Sequence, residues 1–196
     1  EMALKAKERF KNPSIILCTG WSKEKSKQSV EINTTLEDAI ESLPSSQQWA
    51  FQHFKCTDNG LTIAEAIRQG TAIAVSDGSF KNELGTAAFV IEGKDQTNRI
   101  LAGHLTPGPP LSQSSFRSEL SGLYGIVSLV NTICQFHHIT EGKVCCACDG
   151  KQAIEQAFAD PRYFTAHTSK SDYDILSAIH TLIKASPIQW EHKHVK

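Results

Sequence analysis

The 196 residues contain one methionine, no hydrophobic run of membrane-spanning length and almost no net charge. Each scarcity excludes a class of protein. A membrane span needs about 18 consecutive apolar residues, whereas the longest stretch near the start, residues 15–18, is flanked by polar side chains. No membrane partner is expected. Twenty Lys and Arg stand against 21 Asp and Glu, and both parts are balanced: nine basic and nine acidic over residues 1–70, eleven and twelve over 71–196. Neither part is a polybasic arm, and the lysine-rich stretches at 5–11 and 23–27 each contain an acid and read as solvated surface. No basic, apolar, small-residue progression marks a secretory signal. The lone methionine follows Glu1, which reads as a piece of a longer protein. Six cysteines are present, three of them in Cys145-Cys146-Ala147-Cys148, where neighbours on one strand cannot easily bridge. That fits a reducing, intracellular compartment, cytoplasmic or nuclear, and not a secreted chain. With 40% hydrophobic residues the chain can bury a core.

The hydrophobic period changes near Gly70. Before it, Thr35-x-x-Asp38 weakly resembles a capping box and Thr62-x-x-Glu65 matches one, with Gly70 closing the helix that follows. Residues 1–70 therefore read as a connecting segment with short helices. Beyond it, residues 71–76, 85–91 and 99–105 predict a three-strand antiparallel meander, with a turn at 81–84 and a stop at Pro107-Gly108-Pro109-Pro110. Residues 115–134 predict a long amphipathic helix through Phe116, Leu120, Leu123, Val127, Val130 and Cys134. A buried strand at 143–148, helices at 151–158 and 172–184 around a loop at Pro161, and a last strand at 188–195 complete an α/β pattern. The expected architecture is a mixed five-stranded sheet, a meander followed by parallel strands, with helices on its faces.

Three acids break this pattern. At 100° per residue Glu119 falls about 60° from Phe116, inside the apolar stripe, where an unpaired charge costs several kcal/mol. Ile73, Val75 and Asp77 share one strand face by the two-residue period, which places the aspartate at the strand's carboxyl end. Cys145, Ala147 and Asp149 repeat the arrangement, at the end where open α/β sheets place ligands. Singly, Asp77-Gly78 and Asp149-Gly150 could be turn or cap residues, and Glu119 could close a capping box with Ser115. Together the three would repel, and a divalent cation with hard oxygen ligands, Mg²⁺ or Mn²⁺, is the economical way to hold them.

The runs Ala74-Val75-Ser76-Asp77-Gly78-Ser79, Ser114-Ser115-Phe116-Arg117-Ser118-Glu119-Leu120, Cys146-Ala147-Cys148-Asp149-Gly150 and Ile188-Gln189-Trp190 to His194-Val195-Lys196 resemble, in order, the type 1 ribonuclease H domain. The version at the end of retrotransposon reverse transcriptases is the nearest in look, and the resemblance spans residues 71–196. It implies a ribonuclease H-like fold, two Mg²⁺ or Mn²⁺ ions on Asp77, Glu119 and Asp149 as catalytic ligands, and a contact from Glu119 to the substrate 2′-hydroxyl. It also implies substrate contacts at Gly78, Ser79, Ser114 and Ser115, and a polymerase domain upstream in the same polyprotein. The family continues with a Lys-Gly-His turn, a further Asp and a helix, and the chain stops at Lys196, so the expectation is a domain truncated before its C-terminal helix. His194 precedes that turn and does not match the family's histidine. Gly150 stands where many members have Ser, and the basic handle of some cellular members is missing.

The implied reaction is hydrolysis of the RNA strand of an RNA/DNA hybrid, an in-line displacement assisted by two ions roughly 4 Å apart that leaves a 3′-hydroxyl and a 5′-phosphate. Hybrids are selected by shape and 2′-hydroxyls, so no base-reading helix is expected. Setting three metal-bound acids aside, residues 71–196 carry eleven positive and nine negative charges, a surplus suited to weak, salt-sensitive backbone contact. The expectation is a hybrid-specific endoribonuclease in the parent protein and weak or absent activity in this chain alone. The alternative is a non-catalytic ribonuclease H-like module that binds nucleic acid or serves structure. An integrase-type nuclease would want an Asp-Asp-Glu order, against Asp-Glu-Asp here. Other groups read as structural. A zinc cluster of Cys145, Cys146 and Cys148 with His137 and His138 lacks Cys-x₂-Cys spacing and splits across strand faces, which favours buried thiols. His192 and His194 share a face with Trp190 and read as structural. Arg117 reads as a surface ion pair ahead of a phosphate contact, and Ser114 and Ser115 as caps ahead of contacts to a nucleic-acid backbone.

Overall fold

A computed structural model describes residues 34–160 and 172–195. The lysine-rich stretches, residues 15–18, Cys18 and the loop at Pro161 lie outside the described residues. The described elements run α1 (Leu36–Glu41), α2 (Ser45–Gln48), a 3₁₀ turn (Trp49–Phe51), α3 (Leu61–Gln69), β1 (Ala72–Lys81), β2 (Leu84–Glu92), β3 (Ile100–Leu105), a 3₁₀ turn (Pro110–Ser112), α4 (Ser115–Phe136), β4 (Lys143–Cys148), α5 (Lys151–Ala157), α6 (Tyr173–Ala185) and β5 (Gln189–His194). The five strands form one mixed sheet in the order β3-β2-β1-β4-β5. β1, β2 and β3 pair antiparallel, and β4 pairs parallel with both β1 and β5. This is the meander followed by parallel strands that the sequence predicts.

Alternation along β1 sets the layers. Ala72, Ala74 and Ser76 are buried toward α4, whereas Ile73 and Asp77 on the other face are exposed. α4 is buried along most of its length, because it packs on β1 and β2 while α1, α5 and α6 cover its other sides. Its Leu120, Leu123, Ile126, Val127, Leu129, Val130 and Ile133 have no exposed surface. Residues 36–69 join the same core: Leu36, Ala50, Ile63 and Ile67 are buried in it, Trp49 stacks on Tyr124 at 4.9 Å, and Lys55 forms an isolated bridge to Leu101 of β3.

Three local readings change in the structure. β1 does not end near Asp77 but runs to Lys81, because the hairpin turns on only two residues, Asn82 and Glu83, both at positive φ (52° and 62°). Such turns match the twist of the flanking strands, and they leave Asp77 in mid-strand opposite Ala88. The two helix starts exchange strength. Thr35 and Asp38 form a full capping box on α1. Thr62 lies inside α3, and the Asp58 carboxylate takes the capping role, accepting from the Gly60 and Thr62 backbone N–H groups and the Thr62 hydroxyl. No helix among the described residues is long and apolar enough to cross a membrane.

Candidate active site

The site lies where β4 stops and β1 does not. The β1–β4 ladder ends at the pair Ser76 and Cys148, while β1 continues for five more residues beside β2. Past that last pair the sheet has a notch, and the first turns of α4 approach it. Two glycines make the approach possible. A Cβ on Gly78 would lie 2.5 Å from the Glu119 backbone nitrogen, and one on Gly150 would lie 2.8 Å from Glu119 Cγ. Gly78 therefore lets the α4 backbone close on β1, and Gly150 leaves room for the Glu119 side chain. Asp77-Gly78 is not a turn but lies mid-strand, whereas Asp149-Gly150 does turn the chain: the Lys151 N–H donates to the Asp149 carbonyl at 2.9 Å and Gly150 is the N-cap of α5. Glu119 is no capping residue, since the N-cap of α4 is Ser114, whose hydroxyl accepts from Arg117 N–H at 3.0 Å.

One ligand atom each from Glu119, Cys148 and Asp149 lies within 4.8 Å of the others. Asp77 falls outside this tight group but stays within electrostatic reach of it. Burial pushes the Glu119 carboxyl above its ordinary range, and the charges of Asp149 and Asp77 push it further; the Cys148 thiol and the Gly78 backbone pull the other way. Among the described residues no cationic side chain pairs with Asp77, Glu119 or Asp149. Two converging carboxylates with a third nearby, all without a counter-charge, are a donor set that fits a hard divalent cation.

Cys148 was read from the sequence only as a buried thiol, and the structure gives it a contact. Its Sγ donates to Glu119 Oε2 at 3.2 Å and accepts from Gly150 N–H at 3.3 Å. Burial, followed by the Glu119 charge, pushes the thiol up to about 12, so at neutral pH it is a protonated donor. Strand parity holds the signal for this: Cys148 alternates with Cys146 onto the side from which α4 arrives. Of the remaining residues tied to substrate, Ser79 and Ser115 are exposed, Ser114 is occupied as a cap, and Gly78 is packed on the α4 backbone.

Neighbouring groups are structural. Arg117 makes an ion pair, as read from the sequence, but a buried one: its guanidinium reaches Asp174 at 2.9 and 2.6 Å, Asp172 at 3.3 Å and the Pro107 carbonyl at 2.7 Å. His192 stacks on Phe158 at 5.2 Å, and the His194 ring meets the Asp149 backbone carbonyl at 3.0 Å. Cys145 and Cys146 point to opposite faces of β4.

No protein-family model matches the chain, and no curated protein matches it. Among solved structures it is similar to the N-terminal ribonuclease H domain of a Mycobacterium tuberculosis protein, at 13% identity and a TM-score of 0.41, covering 63% of this chain and 81% of that one. Ribonuclease H1 from the halophilic archaeon Halobacterium salinarum aligns at 12% identity and a TM-score of 0.41, over 63% of this chain and 84% of that one. A foamy viral protease-reverse transcriptase, in complex with an RNA/DNA hybrid, aligns at 14% identity and a TM-score of 0.47, over 80% of this chain and 21% of that one.

Proposed function

We propose that residues 71–196 are a ribonuclease H-like domain that hydrolyses the RNA strand of RNA/DNA hybrids with Mg²⁺ or Mn²⁺, as part of a retroelement reverse transcriptase, and that residues 1–70 connect it to a polymerase domain. One observation supports this reading above the others: Glu119 packs its backbone on Gly78 and its side chain on Gly150, beside Asp149 and within reach of Asp77, and among the described residues no cationic side chain pairs with these acids. Asp77 and Asp149 are exposed, so the weight falls on Glu119, a half-buried acid that two further acids repel.

In this proposal Asp77, Glu119 and Asp149 hold two divalent ions, which supply Lewis-acid activation of water and of the scissile phosphodiester. The chain's own contribution is placement. β1 fixes Asp77, the β4–α5 junction fixes Asp149, and α4 brings Glu119 across the notch. Gly78, Ser79, Ser114 and Ser115 are assigned to the hybrid backbone, with Glu119 also meeting a 2′-hydroxyl. Selection by shape and 2′-hydroxyls needs no base-reading element.

The test is cleavage of a labelled hybrid by the 196-residue chain in Mg²⁺ or Mn²⁺, with RNA duplex and DNA duplex as controls. Hybrid-only cleavage that leaves 3′-hydroxyl and 5′-phosphate ends, lost in Asp77→Asn, supports the nuclease. Because weak or absent activity is expected of this chain alone, hybrid binding without cleavage supports the second reading, a non-catalytic module, only when the parent protein shows the same. The position of Asp77 outside the tight group of Glu119 and Asp149 is the observation that favours that second reading.

A further inference from the structure

We infer that Cys148 is a positioning residue for Glu119: by donating its S–H to one carboxylate oxygen, it fixes the rotation of that carboxylate and leaves the other oxygen set for a divalent cation. The inference rests on the metal-site reading above and adds to it a residue that is not itself a ligand.

Packing fixes most of the Glu119 side chain. Gly150 lies so close that an added Cβ would meet its Cβ, Cγ and Cδ at 3.2, 2.8 and 3.2 Å. Packing does not fix the last torsion, because the terminal torsion of a glutamate is broad and nearly two-fold. A directional contact has to set it. Among the described residues the only side-chain donor to Glu119 is Cys148, at 3.2 Å. That donor is oriented in turn, since Sγ accepts the Gly150 N–H at 3.3 Å, and Cys148 itself has no exposed surface. The backbone of the β4–α5 junction, which carries Asp149, is thus linked through one sulfur to the carboxylate that arrives from α4. The Gly78 backbone also donates to this carboxylate, so breaking the Cys148 link leaves Glu119 held from the β1 side alone, with its last torsion less restricted.

The test is Mn²⁺ binding to the 196-residue chain, followed by water-proton relaxation and read beside a thermal melt, for the wild type, Cys148→Val, Cys148→Ser and Glu119→Gln. Valine keeps the bulk but removes the donor to Glu119 and the acceptor of the Gly150 N–H, whereas serine keeps both functions in a smaller side chain. Mn²⁺ affinity should therefore rank serine above valine, and the thermal melt shows whether each variant is folded. The expected result is a loss of about tenfold in Mn²⁺ affinity for Cys148→Val and of no more than about threefold for Cys148→Ser, the size of one hydrogen bond to a charged group. Should the valine variant fail to fold, Cys148→Ala takes its place with the same expectation. A Cys148→Val affinity within about twofold of wild type, or a serine variant as weak as the valine one, overturns the inference while Glu119→Gln still loses binding. If Glu119→Gln binds Mn²⁺ like the wild type, the metal site itself is refuted and the inference falls with it.

Discussion

Arg117 and Glu119 stand two residues apart near the start of α4, and the fold treats them in opposite ways. Arg117 is more deeply buried, yet it arrives with two aspartates from the start of α6 and a backbone carbonyl. Glu119 is half-buried, and its surroundings are two more acids and one thiol. Both carry charge out of water, which costs several kcal/mol per ion unless it is matched. In the first case the chain supplies the match from its own sequence. In the second the described residues supply repulsion and no cationic partner. The contrast is what the proposed metal site would explain: Arg117 has its partners in the fold, and Glu119 would have its partner in a bound cation.

The largest effect on this contrast should come from breaking the satisfied side. Arg117→Ala leaves Asp172 and Asp174 beside each other without their cation, and removing one member of a buried pair costs about 3–5 kcal/mol. Urea unfolding at neutral pH measures it. A loss below about 1 kcal/mol would mean that the pair behaves like a surface contact. The acid limb of the stability profile sharpens the same point. Burial alone would raise the Asp174 carboxyl, but the Arg117 hydrogen bonds and charge outweigh it and hold the group below its ordinary value of 3.8. A depressed acid gives stability that is present above the unfolded value and lost as pH falls through the folded one. The wild type should therefore lose stability below about pH 3.8 through this pair, and Arg117→Ala should lose much less there.

Next in size is Gly78→Ala, which acts on the unsatisfied side. The added Cβ would meet α4 backbone atoms at 2.5 to 2.9 Å, at Ser118 and Glu119, so β1 and the helix have to separate. Overpacking of this kind costs about 1–3 kcal/mol, read by urea unfolding, and cleavage of the hybrid should fall together with Mn²⁺ affinity. Gly150→Ala should cost less stability, because the nearest atoms belong to the Glu119 side chain, which can give way where a backbone cannot.

How much of this was legible in the sequence follows from how local each feature is. Strand alternation and the helical stripe identified the elements, and β4 spans the residues expected, because both signals live within a few neighbouring positions. The anomaly of Glu119 in an apolar stripe was visible for the same reason. The notch was not, since it depends on where β1 ends, and that depends on the Asn82-Glu83 turn carrying the ladder past Asp77. Both Asp-Gly pairs read as turns and Asp149-Gly150 is one, but the room that Gly78 and Gly150 leave for α4 and Glu119 is apparent only once the helix is in place. Arg117 could be paired from sequence but not buried, because its partners lie 55 and 57 residues away.

The smallest expected effect is also the one that separates the two charges most cleanly. Burial, then Asp149 and Asp77, raise Glu119 above its ordinary value of 4.5. A raised acid has the opposite linkage to Asp174: its contribution to stability is present below the unfolded value and lost as pH rises through the folded one. Without metal, ionised Glu119 therefore strains the protein at neutral pH, and Glu119→Gln should melt higher than the wild type there, by about 2 °C once solvent screening of a half-buried group is allowed for. Near pH 4, where the wild-type carboxyl is protonated, the advantage should vanish. Added Mg²⁺ should reverse the neutral-pH order, because a cation that binds only the folded state stabilises in proportion to its occupancy and glutamine offers no charge to hold it. Calorimetric melts of the two proteins, with chelator and with Mg²⁺, should cross. Parallel shifts in both would mean that the acids are balanced by something other than a divalent ion.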